Sequence, residues 1–338
     1  YDEEEVRYIN PDGGHALAGT LTMPRDGGPH PAVVLVSGSG AQDRNETVMG
    51  HRPFLVLSDH LTRQGIAVLR FDDRGTAESE GDFASATSED FASDALAGVA
   101  YLKGRGDIDP GKIGVIGHSE GGLVAPMTAT RSSDIAFIVM MAGPGVNGEE
   151  ILLEQGAVIA RASGATEEAI QRNGELQRSL FAIVEAEPDP EAAAPLLVEA
   201  MRASLEGMSE EERAAAGITE DTGEQLIQSQ VRQVNSPWFR FFLTYDPVPA
   251  LRQVSVPVLA INGELDLQVP PYQNLPVIER ALKEGGNPDV TVVEFPGLNH
   301  LFQTCTTGSP TEYTAIEETI SPTVLNTVSD WILARLGG

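Results

Sequence analysis

The residues best suited to chemistry sit in short loops that follow runs of aliphatic residues. Gly117-His118-Ser119-Glu120-Gly121 fits the pattern G-x-S-x-G. It lies between the apolar run Ile113–Ile116 and the small-residue stretch Leu123–Thr130, which read as a strand and a helix. The glycines allow a sharp strand-to-helix turn that pushes the Ser119 hydroxyl into the open. The helix that follows places N–H groups beneath any developing negative charge. A serine hydroxyl is a poor nucleophile without an adjacent base. On such a turn the chain order runs nucleophile, acid, histidine. Of six histidines, His300 is the one that follows Ser119, in the loop Gly297-Leu298-Asn299-His300 after a strand-like run. His118 adjoins the serine, but the turn should aim it away, so it reads as structural. His51 and His60 read as surface or core-edge residues.

The acid must orient the imidazole and stabilise its cation. Asp266 is the choice, at the tip of Val256–Ile261 in Asn262-Gly263-Glu264-Leu265-Asp266, with Glu264 as its near rival. Asp289 precedes its strand and falls at the wrong edge, and Asp246 reads as a junction residue. Two N–H groups should face an oxyanion. One is that of Glu120, just after the nucleophile. The other belongs to the loop Ser37-Gly38-Ser39-Gly40, with Ser39 preferred and Gly40 as the alternative. That loop lacks the G-x-G-x-x-G spacing of a dinucleotide site. No Walker-type G-x-x-x-x-G-K-[ST] and no H-E-x-x-H is present.

The elements that must hold these loops alternate between strand and helix. Val6–Ile9 and Leu17–Met23 read as a hairpin, and Ala32–Val36, Ile66–Phe71, Ile113–Ile116 and Ile135–Met141 as strands. Phe54–Thr62, stopped by Gly65, and Ser88–Leu102, capped by Ser88, read as helices, with Phe91, Ala95, Leu96 and Val99 of the latter facing inward. This alternation predicts an α/β fold, a mostly parallel sheet with helices on both faces. From about Gly148 to Val234 the strands stop. Glu149–Arg161, Glu167–Glu185, Glu191–Leu205, Ser209–Ala216 and Glu220–Val234 all read as helices. The pattern resumes with strands Val256–Ile261 and Val290–Phe295 and helices Leu275–Lys283 and Pro322–Leu336. The expected organisation is a core of residues 1–145 and 247–338 interrupted by a helical insertion, residues 146–246. We expect that insertion to be a cap over the carboxyl edge of the sheet, where a ligand site belongs. Trp238, Phe239, Phe241, Phe242 and Tyr245 cluster where it returns, and read as packing or as an acyl-pocket wall.

Composition narrows the function further. The 338 residues carry 22 basic and 50 acidic side chains, a formal net charge of −28. That excludes a phosphate-binding face for nucleic acid and docking on an anionic membrane, and leaves a cationic partner open. At 41% apolar the chain can bury a core. A single cysteine, Cys305, forbids an intrachain disulfide and a Cys-rich zinc site. No apolar run is long enough to insert into a membrane. The chain starts at Tyr1, so we expect a trimmed start. A removed export signal is one explanation, and the compartment stays open, as does assembly into a homo-oligomer.

Taken together, these motifs resemble the α/β-hydrolase superfamily, and more narrowly its bacterial serine esterase and acyl-peptidase-like members. The resemblance covers about residues 15–145 and 237–336. It rests on Gly38-Ser39-Gly40-Ala41-Gln42-Asp43-Arg44, Phe71-Asp72-Asp73-Arg74-Gly75, Gly117-His118-Ser119-Glu120-Gly121-Gly122 and Gly297-Leu298-Asn299-His300. It implies an eight-stranded sheet, a triad of Ser119, Asp266 and His300, and oxyanion donors at Ser39 and Glu120. It implies hydrolysis through an acyl-enzyme with no metal or organic cofactor. The His-Gly oxyanion motif of lipases is replaced here by Ser37-Gly38. Asp43, Arg44, Asp72, Asp73 and Arg74 are expected to form an ion network below the site, with substrate contact as the alternative. The expected substrate is a small-molecule ester of small or medium acyl chain. Peptides or N-acyl amino acids are the alternative for the same triad, and a non-catalytic binding protein on the same fold is the third reading.

Overall fold

In the computed structural model, which describes residues 1–209, 213 and 219–337, the chain divides into two compact units, Tyr1–Val146 with Asp246–Gly338, and Asn147–Tyr245. The first unit is built on eight strands: β1 Asp2–Ile9, β2 Ala16–Met23, β3 His30–Val36, β4 Ala67–Phe71, β5 Ile108–His118, β6 Phe137–Met141, β7 Val258–Gly263 and β8 Val290–Phe295. Their order across the sheet is β1-β2-β4-β3-β5-β6-β7-β8. β1 and β2 run antiparallel, and β3 to β8 are mutually parallel. The helices of this unit are α1 Pro53–Arg63, α2 Ser88–Lys103 and α3 Glu120–Arg131, followed after the second unit by the short α9 Val248–Leu251, α10 Pro271–Glu284 and α11 Pro322–Leu336.

The period-2 geometry of β3 assigns the two faces. Val33 and Leu35 join Phe54, Leu57 and Leu61 of α1 and Val324, Val328 and Trp331 of α11 in one buried cluster. Val34 turns the other way, and its methyl would meet a side chain placed at Gly98 of α2. Helices thus cover both faces, and the central strands read as continuous β-branched runs because neither face is wet. This is the α/β-hydrolase architecture. Two local expectations change. β1 begins at Asp2 rather than Val6, with Asp2, Glu3, Glu4 and Glu5 on an exposed edge strand. The cap of α2 is Thr87, whose side chain forms a capping box with Asp90. Phe91 and Leu96 are only half-buried, while Ala95 and Val99 are buried.

The second unit is helical: α4 Gly148–Ala162, α5 Glu167–Ala186, α6 Pro190–Glu206, α7 Glu220–Val234 and α8 Pro237–Thr244. Most of the helix expected at Ser209–Ala216 lies outside the described residues. The unit has its own core, made by Leu180, Phe181 and Val184 of α5, Leu197 and Met201 of α6, Ile227 and Val231 of α7, and Phe239 and Leu243 of α8. The aromatic cluster is part of this unit's packing. Phe239 lies 5.9 Å from the Phe181 ring, and Trp238 stacks on Phe242 at 5.1 Å. Among the described residues no helix is long and apolar enough to cross a membrane.

Candidate active site

Ser119 is the single residue between β5 and α3. Ser119 has φ 54° and ψ −117°, outside the regions a side-chain-bearing residue ordinarily occupies. Its N–H donates to the Met141 carbonyl at the end of β6, and its own carbonyl accepts from Gly122, which pin the turn from both sides. The turn also needs backbone to approach backbone. A Cβ on Gly117 would stand 1.8 Å from the Gly121 oxygen, and one on Gly121 would stand 2.0 Å from that of Val36. The N–H of Glu120 belongs to the first residue of α3, where no intrahelical acceptor exists.

Asp266 and His300 arrive from the ends of β7 and β8, at the same edge of the sheet as Ser119. Both are buried. His300 Nδ1 lies 2.7 Å from Asp266 Oδ2. The other oxygen, Oδ1, accepts from the backbone N–H groups of Gln268 at 2.7 Å and Val269 at 2.9 Å. The carboxylate is therefore locked on one side and aimed at the imidazole with the other, which leaves Nε2 of His300 for proton transfer. Glu264 is engaged elsewhere, accepting from the Gly297 N–H. Asp289 pairs with Arg335, and Asp246 caps the turn into Val248. Among the described residues no hydrogen bond joins the Ser119 hydroxyl to His300; such contacts often tighten only once substrate is present.

The loop after β3 is braced without the histidine that lipases place there. The Ser37 hydroxyl donates to Asp73 Oδ1 and the Gln42 N–H to Asp73 Oδ2, both at 2.9 Å. The Gly38 N–H donates to Glu46 Oε1 at 2.6 Å. Gly38 packs directly on the nucleophile, since a Cβ there would be 3.1 Å from that of Ser119. With the Gly38 N–H engaged, the next residue, Ser39, is exposed. Burial pushes the Asp73 carboxyl up to about 8, against the pull of Gln42 and Ser37, and the nearby Glu120 and Glu46 add to the rise.

The single ion network expected from Asp43, Arg44, Asp72, Asp73 and Arg74 is instead split, with Asp73 held by Ser37 and Gln42 apart from three further sets. Arg44 binds Asp72 and Glu78, with Glu5 as a further partner. Arg74 binds Asp94 and Asp90, and Asp94 also holds His15. Asp43 accepts from the N–H groups of Asn45 and Thr47. Asp72 and Asp73 follow the end of β4, where Asp72 accepts from Arg44 and Asp73 from Ser37 and Gln42.

Two further residues shape this site beyond the candidates named above. Glu46 is buried, has φ 53°, and touches both Gly38 and His118. Asn299 is buried, and its side-chain oxygen accepts from the N–H groups of Leu301 and Gln303, which shapes the loop that carries His300. Asn299 at least adjoins His300 in the motif, whereas Glu46 is one acidic residue among 50.

Comparison with known proteins agrees with this architecture. The chain is 36% identical over 141 residues to esterase EstD of Thermotoga maritima, a match covering 42% of this chain and 34% of EstD. It spans less than half the length of the curated relatives it matches. The α/β hydrolase GrgF of Penicillium sp. sh18 superposes with a TM-score of 0.61 at 17% identity, covering 100% of both chains. The Pyrococcus furiosus esterase Pf2001 superposes with a TM-score of 0.60 at 18% identity, covering 99% of this chain and 91% of that one. Residues 12–284 match the X-Pro dipeptidyl-peptidase (S15) family, and with that much of the chain included the protein belongs to it.

Proposed function

We propose that the protein is a serine hydrolase that cleaves carboxylic esters of small or medium acyl chain. His300 Nε2 takes the proton of Ser119 as its Oγ attacks the ester carbonyl, and Asp266 stabilises the imidazolium formed. The N–H groups of Ser39 and Glu120 hold the oxyanion. The tetrahedral adduct collapses, the alkoxide leaves with the proton from His300, and the acyl group stays on Ser119. Water, deprotonated by His300, then attacks the acyl-enzyme and releases the acid and free serine. The observation that supports this reading is the positive φ of Ser119, on a turn at the same sheet edge as the buried His300–Asp266 pair.

Family membership favours a second reading, hydrolysis of an amide after proline by the same residues, since X-Pro dipeptidyl-peptidases act on such bonds. One experiment separates the two. Wild type and Ser119→Ala are assayed on p-nitrophenyl esters from acetate to dodecanoate and on X-Pro p-nitroanilides. We expect turnover of the shorter esters, a decline along the series, and a loss of at least about 10⁴-fold in the variant. Turnover of the anilides alone moves the substrate to peptides. No turnover of either, with Ser119 unlabelled by a phosphonate probe, overturns both and leaves a binding protein.

A further inference from the structure

His118 is buried beside the nucleophile, and both of its ring nitrogens face acceptors. Nδ1 lies 2.9 Å from Glu46 Oε1, and Nε2 lies 3.0 Å from the backbone carbonyl oxygen of His300. A neutral imidazole has one N–H and could satisfy only one of these partners. The same Glu46 oxygen also accepts from the Gly38 N–H. Among the described residues Glu46 Oε2 has no partner, so the carboxylate is committed to this corner through one atom. The ring of His118 stands 4.9 Å from that of His300 and 6.3 Å from that of Phe302, which closes the pocket around it.

We infer that Glu46 and His118 form a buried carboxylate–imidazolium pair that positions both sides of the site. It acts on the oxyanion loop through Gly38 and on the base loop through the His300 carbonyl, and it does so only while His118 carries both ring protons. Neither residue touches a reacting atom in this scheme; both act through others. The inference rests on the serine hydrolase reading for its kinetic consequence, but not for the protonation state itself.

The electrostatics agree. Burial is the largest influence on His118 and pulls its pKa down. The charge of Glu46, the hydrogen bonds to Glu46 and the His300 carbonyl, and the field of Asp266 together carry it above the ordinary histidine value. The groups that face the ring are Glu46 from the loop after β3, Asp266 from the loop after β7 and His300 from the loop after β8. Asp73 and Glu120 lie beyond Glu46. When His118 loses its second proton, a ring lone pair must face either Glu46 or the His300 carbonyl. One of the two loops then loses its tether.

The test has two parts. The first is a long-range ¹H–¹⁵N spectrum of the histidine rings at neutral pH in wild type and in Ser119→Ala, with His118 assigned through His118→Gln. Two protonated nitrogens on His118 in both proteins are expected; a single-proton tautomer overturns the inference, whatever the protein hydrolyses. The second is the pH dependence of kcat on p-nitrophenyl butyrate for wild type, Glu46→Gln and Glu46→Asp. Without the Glu46 charge the alkaline limb of kcat should move at least about one pH unit lower, while KM stays within about twofold. Glu46→Asp, which keeps the charge, should hold the limb near the wild-type position, and it serves where Glu46→Gln does not fold. A limb that stays in place in Glu46→Gln means the pair is only structural and overturns the positioning role. Loss of turnover in wild type itself would sink the hydrolase reading while the ring spectrum still decides the pair.

Discussion

At the scale of single residues, the proposed mechanism makes Asp266 the residue that decides which proton His300 carries. Asp266→Asn keeps the size of the side chain but can present an N–H to Nδ1, which fixes the wrong tautomer. We expect kcat on short esters to fall by about 10⁴-fold, with the protein still folded by circular dichroism. Asp73 gives a prediction of a different kind. Its folded value of about 8 stands far above the 3.8 of an ordinary aspartate. Between those values the folded protein keeps a proton that the unfolded chain releases, so this carboxyl lowers stability as pH rises through the window. Asp73→Asn mimics the protonated form, and its melting temperature relative to wild type should climb between about pH 4 and about pH 8. A constant offset across that range would show that Asp73 is charged when folded. The proposed Ser119, Asp266 and His300 stand out in the sequence because each sits at the tip of a strand-like run, in the order the proposed chemistry needs. Glu46 does not, because a buried carboxylate between two loops shows only when the loops are folded together.

At the scale of elements, the strand-to-helix turn is the feature least tolerant of change. Gly117→Ala would set a methyl inside van der Waals contact of the Gly121 carbonyl. Backbone on both sides leaves nowhere for it to move, so we expect insoluble or strongly destabilised protein, measured as loss of a cooperative melt. The sequence located nearly every element, since periodicity and glycine or proline breaks mark buried strands and amphipathic helices. It misread β1, where four consecutive acidic residues look like a tail. Their strand is held by pairing with β2 and by Val6 and Tyr8 alone facing inward. Charges along an outer strand also discourage further pairing with another molecule. The cap of α2 was misplaced by one residue because Thr87 and Ser88 are both good caps, and the box with Asp90 selects Thr87.

At the scale of the whole molecule, the two units have separate cores, and each should answer to its own mutations. Leu197 is fully buried in the core of the helical unit. Leu197→Ala should lower that unit's stability by about 2–5 kcal/mol and shift one part of a calorimetric trace more than the rest. A uniform shift of one sharp peak would show that the units melt together. The net charge of −28 predicts that repulsion opposes folding. Raising NaCl from about 10 mM to about 1 M should therefore raise the melting temperature, despite weakening surface pairs such as Arg25–Asp2. The split of the sheet unit around the helical one also sets an order of events during synthesis. The nucleophile is made about 180 residues before the histidine, roughly 10–40 s at typical elongation rates. A chain still on the ribosome holds six of the eight strands and the serine turn, but neither the acid nor the base. The edge of β6 must stay unpaired until β7 emerges, so in a growing chain that edge is the place where misassembly and chaperone capture would concentrate. On the proposed mechanism, a message truncated before residue 300 would yield a protein that holds Ser119 without His300 and cannot turn over ester.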